Sequence, residues 1–364
     1  MVSEIAINGR FLGQPLTGVQ RYSLEVLKVM DRLLTNGEID PNGCRLTCYT
    51  PPSYRDIPAT WKTIRVSPAG FLNGNLWEQI DLAVLARGKT LFSPGNIGPA
   101  VLPGQIVTIH DASVFAVPEA YSIWFRMKYR LILSILGKTA RKIITVSEFS
   151  KCELMKYCRI PEEKIAVIPH GSEHLDCLKA DQAVFERFDI GKKPYLLTVG
   201  SDSPHKNLGV LAEALRRMDR TDFEVVMVGG AFRWFSKDHG EAWPETVRRI
   251  GYVNDCELRA LYERAAALVF PSKYEGFGMP VLEAMTSGCP VICSRTASLP
   301  EVGGDAVLYF DLEKPEELKE QIERVLGDER LREVLRCKGL VRTAMFSWDE
   351  AARRTWGVMR ASLP

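Results

Sequence analysis

Short apolar runs that alternate with helical patterns constrain the fold of this chain more than any other feature. Many of the strand-like runs are apolar on both faces, such as Tyr195–Val199 and Glu224–Val228. Strands of this kind, separated by helices, are typical of parallel sheets that helices cover on both sides. The predicted strands span residues 4–8, 45–50, 63–66, 90–93, 106–110, 142–146, 165–168, 194–199, 223–229, 248–253, 267–270, 290–293 and 306–310.

The alternation occurs in both halves of the chain, which predicts two domains of one architecture. A length of 364 residues is enough for two domains with substantial cores. Residues 171–193 are polar and lack a clear strand, so we place the junction there. A last helix is predicted from Trp348 to about Met359, because Ser347 suits an N-cap and Glu350 follows three residues later.

Composition excludes several classes of protein. A hydrophobic content of 46% and a charged content of 25% are ordinary for a soluble globular protein. A net charge of +2 predicts no bulk binding of nucleic acid, although local basic patches remain open. Nine cysteines without a C-x-x-C pair predict buried free thiols in a reducing cytoplasm. The chain begins with a strand-like segment and has no apolar run of about 18–20 residues, so we expect neither a signal peptide nor a membrane span.

The segment from 274 to 285 carries the strongest indication of a functional site. A strand-like run at 267–270 leads into a loop with Glu275 and a Gly-Phe-Gly turn, and a helix follows with Pro280 near its start and Glu283 about one turn inside. Backbone N–H groups and the helix dipole favour anions at such an end, whereas the carboxylates suit hydroxyl groups. We therefore predict a site for a phosphorylated sugar. The alternative, a surface loop before an ordinary helix, does not explain the Gly-Phe-Gly turn.

Other polar loops also follow predicted strands. Residues 200–207 and 229–230 follow two strands of the second half, and His110 with Asp111 ends a strand of the first half. Ligands of open α/β sheets bind at the carboxyl ends of the strands. These loops are therefore expected to lie at the binding edges of their sheets.

Glu275 and Glu283 together resemble the E-x7-E signature of retaining nucleotide-sugar glycosyltransferases of glycosyltransferase family 4, which have the GT-B fold. Further segments are similar to this family in order and spacing, so that the resemblance covers essentially the whole chain. They are residues 17–22, 110–111, 145–151, 168–171, 199–208 and 346–348. The resemblance implies two Rossmann-like domains facing across a cleft: an acceptor domain over 1–175, a nucleotide-sugar domain over 190–345, and a C-terminal helix over 346–364 that packs back on the first domain.

The resemblance also implies roles for individual residues of the second domain. Glu283 is implied to hold the ribose of the donor, Glu275 the transferred sugar, and Lys206 the diphosphate. The donor site is further implied to include Gly200, Ser201, His205, Gly251, Tyr252, Val253, Gly276, Phe277, Gly278, Met279, Pro280 and Val281. Of these, 251–253 are implied to meet the base, and the backbone of 277–281 to grip the sugar and its phosphates.

In the first domain, the resemblance implies that Gly18 lets its loop approach the diphosphate closely, since glycine lacks a Cβ. His110 is implied to line the cleft near the reacting sugar carbon, and the alternative is a structural histidine. Asp111 would either orient His110 or cap the next segment. Together with Lys206 and Glu275, these two residues are the candidate catalytic groups.

One departure concerns the positive charge that meets the diphosphate. Ser201 and His205 stand where this family often has an arginine, and only Lys206 is clearly cationic. Histidine titrates near neutral pH, so a protonated His205 would supply part of the missing charge. A loop histidine that points outward is the alternative.

Residues 124–142 mix large apolar side chains with several lysines and arginines. The pattern is typical of a basic amphipathic helix that contacts an anionic membrane surface. A core-packed helix with solvated basic residues is the competing interpretation. Metal ligands are not evident, since the chain contains no D-x-D and no His/Cys cluster with zinc spacing.

The resulting prediction is a retaining, metal-independent glycosyltransferase that needs no cofactor. The first choice of donor is GDP-mannose, from a general similarity to bacterial polysaccharide and O-antigen mannosyltransferases, with a UDP-sugar or dTDP-rhamnose as alternatives. The acceptor would be a glycan or a polyprenyl-linked saccharide, and the protein would be cytoplasmic or peripheral at the inner face of the membrane. An NAD-dependent oxidoreductase should carry a full G-x-G-x-x-G, which is absent. A non-catalytic nucleotide-sugar-binding protein would keep Glu283 but could lose Glu275, His110 or Lys206.

Overall fold

The computed structural model describes residues 3–54, 61–230 and 243–363, and the chain forms two compact units. The first unit combines Met1–Gly171 with Ser347–Pro364, and the second is Ser172–Phe346. The division falls at the start of the polar segment in which we placed the junction. Residues 172–175, which we assigned to the first domain, group with the second unit.

The first unit contains a seven-stranded sheet in the order β3-β2-β1-β4-β5-β6-β7, with parallel pairing between neighbours. Its strands are β1 (Glu4–Asn8), β2 (Arg45–Thr50), β3 (Arg65–Pro68), β4 (Thr90–Ser93), β5 (Ile106–Thr108), β6 (Lys142–Thr145) and β7 (Ile165–Val167). Its helices before the junction are α1 (Gly18–Thr35), α2 (Gly74–Leu76), α3 (Leu82–Leu85), α4 (Ser113–Ala116), α5 (Ile123–Thr139) and α6 (Glu148–Cys158). A π-helical turn, Trp77–Asp81, joins α2 to α3.

The second unit contains a six-stranded parallel sheet in the order β10-β9-β8-β11-β12-β13. Its strands are β8 (Tyr195–Val199), β9 (Glu224–Val228), β10 (Val247–Gly251), β11 (Ala267–Phe270), β12 (Val291–Ser294) and β13 (Leu308–Phe310). Its helices are α7 (Ala183–Arg187), α8 (Leu208–Arg216), α9 (Asp255–Arg264), α10 (Met279–Thr286), α11 (Leu299–Gly303), α12 (Pro315–Gly327) and α13 (Glu329–Thr343).

Short 3-10 turns accompany the helices of both units. They span Arg10–Gly13, Pro118–Ala120, Glu162–Lys164 and Pro204–Lys206. Each unit has its own apolar core, because its central strands, such as β5 and β11, are buried on both faces as the sequence pattern predicts. In the first unit, for example, Val107 and Ile143 pack with Leu133 and Leu136 of α5. In the second, Leu196 and Val225 pack with residues of α8 and α12.

The last helix, α14 (Trp348–Ala361), packs against α1 within the first unit. The hydroxyl oxygen of Ser347 accepts a hydrogen bond from the Asp349 amide at 3.1 Å, which caps the helix N-terminus. Trp348 and Trp356 are both buried. Burial of these indoles, each of which removes a large apolar surface from water, holds the C-terminal segment on the first unit.

Every predicted strand is present, with its ends within two residues of the predicted ones. The predicted helix over 124–142 was too long, because α5 ends at Thr139 and Lys142 already begins β6. The cysteines are free, but the prediction of buried thiols was wrong for Cys152, Cys177 and Cys337, which are exposed, and Cys44 and Cys256 are only half-buried. Within the described ranges, no helix combines the length and the apolar character needed to span a bilayer.

Candidate functional site

The connection from β11 to α10 holds both glutamates of the predicted site. Gly278 is the residue before α10 and has a φ of 98°, a conformation that favours glycine. A Cβ at this position would lie 2.5 Å from Leu299 Cδ2, so packing also requires glycine. Without a side chain, Gly278 provides no side-chain cap for the helix. The first turn of α10 therefore exposes backbone donors of the type that bind anions.

Hydrogen bonds from neighbouring loops hold this connection in place. The hydroxyl groups of Ser294 and Thr296 donate to the Ser272 carbonyl oxygen at 2.5 and 3.0 Å. The Ser298 hydroxyl donates to the Glu275 carbonyl oxygen at 2.9 Å. A loop with its backbone fixed at several points keeps its side chains preorganised for a ligand.

Lys206 and Glu275, which are far apart in sequence, form an ion pair at this edge of the sheet. Lys206 Nζ lies 2.6 Å from Glu275 Oε1, and the Ser272 hydroxyl donates to the same oxygen. The two side chains are 17% and 13% exposed, so the pair is mostly shielded yet within reach of a ligand. Lys206 Nζ also lies 5.1 Å from the centre of the Phe270 ring. The sequence analysis named both residues, and the structure brings them together.

Beside this pair, the ends of β8, β9, β10 and β11 surround a pocket of about 220 Å³. The residues that line it are Thr198, Val199, Gly200, Ser201, Asp202, Lys206, Leu208, Met227, Val228, Gly229, Arg249, Gly251, Phe270, Pro271 and Ser272. The pocket thus contains the predicted donor residues Gly200, Ser201, Lys206 and Gly251. Arg249, which the sequence analysis did not name, brings a second cation to the lining.

The strand ends that form the pocket are held in close contact. The Gly229 amide donates to the Gly251 carbonyl oxygen, and the Gly200 amide donates to the Val228 carbonyl oxygen, both at 2.9 Å. A Cβ on Gly229, whose φ is 138°, would lie 1.8 Å from the Gly200 carbonyl oxygen. Only glycine permits this approach, which shapes the floor of the pocket.

The other predicted donor residues of this half have different surroundings. His205 is not among the residues that line the pocket; its Nδ1 lies 2.9 Å from the Ser203 hydroxyl, and its carbonyl oxygen accepts from the Lys273 amide at 2.7 Å. Tyr252 is exposed, whereas Val253 is buried. A contact between Val253 and a base could therefore involve its backbone but not its side chain.

Glu283 lies inside α10 and is mostly buried between two hydrogen-bond donors. Its Oε1 is 3.1 Å from His174 Nε2, and its Oε2 accepts from the Tyr262 hydroxyl at 3.2 Å. Burial raises the pKa of Tyr262 well above its usual value, and the Glu283 charge raises it further. Tyr262 therefore stays protonated and acts as a hydrogen-bond donor.

The remaining residues of the loop and helix differ in what they can offer to a ligand. Phe277 is buried and meets the Phe346 ring edge-on at 5.8 Å. The Val281 amide already donates to the Gly278 carbonyl oxygen at 3.0 Å, and Pro280 has no N–H. Within the described part of the chain, the amides of Gly278 and Met279 donate to no acceptor. These two amides are thus the best placed to meet an anion.

Of the predicted residues of the first unit, His110 lies in a buried cluster of rings. His110 follows β5, is 5% exposed, and meets the Tyr22 ring at 4.7 Å between centroids in an edge-to-face arrangement. His170 lies 5.7 Å from His110 and stacks on Trp348 at 5.7 Å. Burial lowers the pKa of His110 to about 4, although the Pro94 carbonyl and the Asp111 charge favour protonation. His110 is consequently neutral at physiological pH.

Asp111 and Gly18 have simpler surroundings. Asp111 Oδ1 accepts a hydrogen bond from the Ser113 amide at 2.8 Å, and its charge also acts on His110, so both roles that we considered stay open. Gly18 begins α1, and a Cβ there would meet no described atom within 4 Å. The packing of the described residues therefore does not itself require glycine at position 18.

Metal ligands were also sought among the described residues. No group of three or more His, Cys, Asp or Glu side chains in those ranges could hold a metal ion. Metal independence stays a prediction, because the metal could be bound together with the substrate.

Comparisons with known proteins place the chain in a family. Residues 31–174 match the family described as Glycosyltransferase Family 4, and residues 181–340 match Glycosyl transferases group 1. O-antigen chain mannosyltransferase B of Escherichia coli is 31% identical over 94% of this chain and 95% of its own length. O-antigen chain mannosyltransferase RfbU of Salmonella typhimurium is 25% identical over 84% of this chain and 86% of its own.

Among solved structures, sucrose-phosphate synthase of Thermosynechococcus elongatus matches with a TM-score of 0.73 and 18% identity, covering 99% of this chain and 98% of that one. The two parallel α/β sheets and this similarity define a protein of the GT-B fold. The chain belongs to glycosyltransferase family 4 and is a glycosyltransferase. The predicted family, fold and class of enzyme are confirmed.

Sequence analysis missed three residues of the candidate site. Arg249 was the second residue of the predicted strand 248–253, and its place near the binding edge became evident only because β10 ends at Gly251. His174 lay in the polar junction, where no periodicity indicated a partner for Glu283. Tyr262 lay on an amphipathic helix, and its apolar surroundings concealed its hydroxyl contact.

Proposed function

We propose that this enzyme transfers mannose from GDP-mannose, with retention of configuration and without a metal, to a glycan or polyprenyl-linked saccharide. The observation that carries the proposal is the Lys206–Glu275 ion pair beside the uncapped start of α10 and the pocket of the second unit. A nucleoside diphosphate sugar presents both an anion and hydroxyl groups, and this arrangement offers donors and acceptors for both.

The choice of mannose and of an O-antigen-type acceptor rests on similarity to relatives. Two curated relatives that span most of this chain are described as O-antigen chain mannosyltransferases. A UDP-sugar or dTDP-rhamnose is the alternative donor. We also propose that the protein works in the cytoplasm, where nucleotide sugars are available.

The geometry supports a route for the departing diphosphate. Negative charge builds on the phosphate oxygens as the bond to the sugar breaks. Lys206 and the amides of Gly278 and Met279 would stabilise that charge more in the transition state than in the ground state. Glu275 would accept hydrogen bonds from the sugar and hold Lys206 in place. The acceptor hydroxyl then attacks from the face that the diphosphate leaves, with the departing phosphate as its base. The roles of Gly18, His110 and Asp111 stay predictions.

A direct test starts with purified protein and a set of GDP, UDP, ADP and dTDP sugars. The true donor should raise the melting temperature, since it binds the folded state alone. It should then be transferred or slowly hydrolysed, equally in EDTA and in Mg²⁺. Glu275→Gln should abolish turnover, whereas Glu320→Gln, at an exposed position on α12, should not. Turnover that survives Glu275→Gln would refute the site, and tight binding without any turnover would favour a non-catalytic binding protein.

We further propose that the first unit contacts an anionic membrane surface. Two stripes of exposed apolar side chains support this: Leu76, Ile80 and Val84 on the helix from 74 to 85, and Trp124, Met127 and Leu131 on α5. Lys128 of α5 interacts electrostatically with Glu78, so the two helices are neighbours. The other end of α5 packs in the core through Ile132, Leu133 and Leu136. The interpretation as a membrane-contacting helix therefore fits the first half of α5, and the interpretation as a core-packed helix fits the second half.

Vesicle sedimentation tests this surface. The protein should bind vesicles that contain phosphatidylglycerol better than vesicles of phosphatidylcholine alone, because both charge and apolar burial contribute. The double substitution Trp124→Glu and Met127→Glu should release it. Val341→Glu, at an exposed apolar position of the second unit, serves as the control. Binding that is indifferent to the double substitution would exclude the proposed surface.

A further inference from the structure

Glu283 is held by partners from two other segments of the second unit. His174 lies in the segment after the junction, and Tyr262 lies on α9. The side chain of His174 is 1% exposed, and Tyr262 is fully buried. Buried polar groups in such an arrangement restrict a carboxylate to one orientation.

Both partners are themselves fixed. The Ser172 hydroxyl lies 2.5 Å from the Thr286 hydroxyl, which ties the segment before His174 to α10. The Arg259 guanidinium of α9 donates to the carbonyl oxygens of Leu175 and Asp176 at 2.6 and 2.7 Å. His174 is thus anchored on both sides, to the helix that carries Glu283 and to the helix that carries Tyr262.

The hydrogen bonds leave a defined part of the carboxylate for a ligand. Oε1 is engaged by His174 Nε2 and Oε2 by the Tyr262 hydroxyl, one donor for each oxygen. An ionised carboxylate has about four acceptor positions, so one position on each oxygen remains. Two parallel acceptors on one carboxylate match two adjacent hydroxyl groups, such as the 2′- and 3′-hydroxyls of a ribose.

We propose that His174 and Tyr262 are positioning residues that orient Glu283 toward a ribose diol, which makes the enzyme selective for ribonucleotide donors. The inference rests on the proposed function, because a nucleotide-sugar donor supplies the ribose, and it adopts the ribose contact that the family resemblance implies for Glu283. It also narrows that function: a deoxyribonucleotide donor such as dTDP-rhamnose lacks the 2′-hydroxyl and would leave one buried acceptor without a partner. Sites built to bind a hydroxyl reject analogues that lack it.

The probes are nucleoside diphosphates, so the test does not require the donor sugar to be known. Dissociation constants are measured by calorimetry for GDP and 2′-deoxy-GDP, and for UDP and 2′-deoxy-UDP. The wild type should bind the ribo form about 10- to 100-fold more tightly than the deoxy form. His174→Phe and Tyr262→Phe should each reduce the ratio of the deoxy to the ribo dissociation constant severalfold, because either change frees the Glu283 carboxylate to turn.

Two controls separate positioning from a merely structural role. His174→Gln, which keeps a donor near the position of Nε2, should retain most of the ratio. Tyr195→Phe removes a buried hydroxyl that donates to the Leu261 carbonyl oxygen and does not contact Glu283, so the ratio should not change. A wild-type ratio near one, or an unchanged ratio in His174→Phe and Tyr262→Phe, would overturn the inference. Failure of all four nucleotides to bind the wild type would instead overturn the proposed function.

Discussion

The two sheets of this protein have the same arrangement of strands around their first strand, but they differ at the carboxyl ends of the strands. In each sheet the first strand pairs with the second and the fourth, and the later strands extend the sheet on the far side. The edge of the first sheet is filled by packed rings, those of Tyr22, His110, His170 and Trp348. The edge of the second sheet carries an ion pair, a helix N-terminus and a pocket.

The contrast shows that topology places a binding edge, whereas local side chains decide its chemistry. In the first unit, Trp348 of α14 stacks on His170, and burial keeps His110 neutral. In the second, glycines bring three strand ends together, and polar side chains face the space that results. We therefore expect substitutions at the first edge to change stability, and substitutions at the second edge to change turnover.

After the loss of turnover expected for Glu275→Gln, the largest effect is expected for Lys206→Met. Removal of one preorganised charge at a leaving group typically costs 10²–10³-fold in turnover, so kcat should fall by about that factor. Steady-state kinetics with the identified donor measure it, and the melting temperature should change little, since Lys206 lies at the edge of the unit rather than in its core.

The double variant Lys206→Met with Glu275→Gln should have a turnover scarcely lower than that of the worse single variant, because the two residues act as a pair. Full additivity would show that they act separately.

Trp348→Ala should destabilise the folded protein strongly. Trp348 is 2% exposed and packs on rings of the first edge, and truncation of a buried tryptophan costs about 3–5 kcal/mol. The measurement is the free energy of unfolding in urea. Trp124→Ala is the matched control, since that indole is 78% exposed and its loss should cost less than about 0.5 kcal/mol. Equal costs at the two positions would contradict the role assigned to the first edge.

The pH dependence of stability should reveal His110. Burial lowers its pKa to about 4, below the ordinary value of 6.5, so between these values the unfolded chain binds more protons than the folded protein. Stability is therefore lost as the pH falls from 6.5 toward 4, by roughly 3 kcal/mol at the lower end. Unfolding of the wild type and of His110→Gln should be compared at pH 7 and pH 4.5. The difference in unfolding free energy should shift in favour of the variant at low pH, and a constant difference would contradict the burial of a neutral histidine.

The strands and the site could be predicted to different extents. The central strands were found because their apolar runs are long enough to be buried on both faces, as in β8 and β9. The start of α10 was found because glycine and proline determine local backbone conformation. Such signals are local in the chain, and the structure reproduces them.

Contacts between distant segments could not be predicted in the same way. Nothing near His174 in the sequence indicates that it meets Glu283, because the contact depends on how the junction folds against α10. The length of α5 was overestimated because Arg141 and Lys142 continue the basic pattern although the backbone has already turned into β6. A pattern of charge, unlike glycine or proline, does not determine backbone conformation.

The smallest expected effect concerns His205 and the charge of the donor pocket. If protonated His205 helps to bind the diphosphate, donor affinity in the wild type should weaken a few-fold as the pH rises through neutrality. His205→Arg should bind with little dependence on pH over the same range, since arginine stays charged. Calorimetry with the donor nucleotide between pH 5.5 and 8.5 measures both profiles. A wild-type profile without this slope would remove His205 from the site.

Arg249 supplies the control that makes this experiment decisive. Arg249 lines the pocket, its guanidinium lies 5.2 Å from the centre of the Trp243 ring, and no carboxylate in the described ranges forms an ion pair with it. Arg249→Met should weaken binding about equally at every pH, because a guanidinium does not titrate in this range. A flat wild-type profile together with weaker binding by Arg249→Met would assign the second cation to the end of β10. If donor affinity still falls with rising pH in Arg249→Met, the second cation is His205, which lies outside the pocket lining but next to Lys206 in the chain.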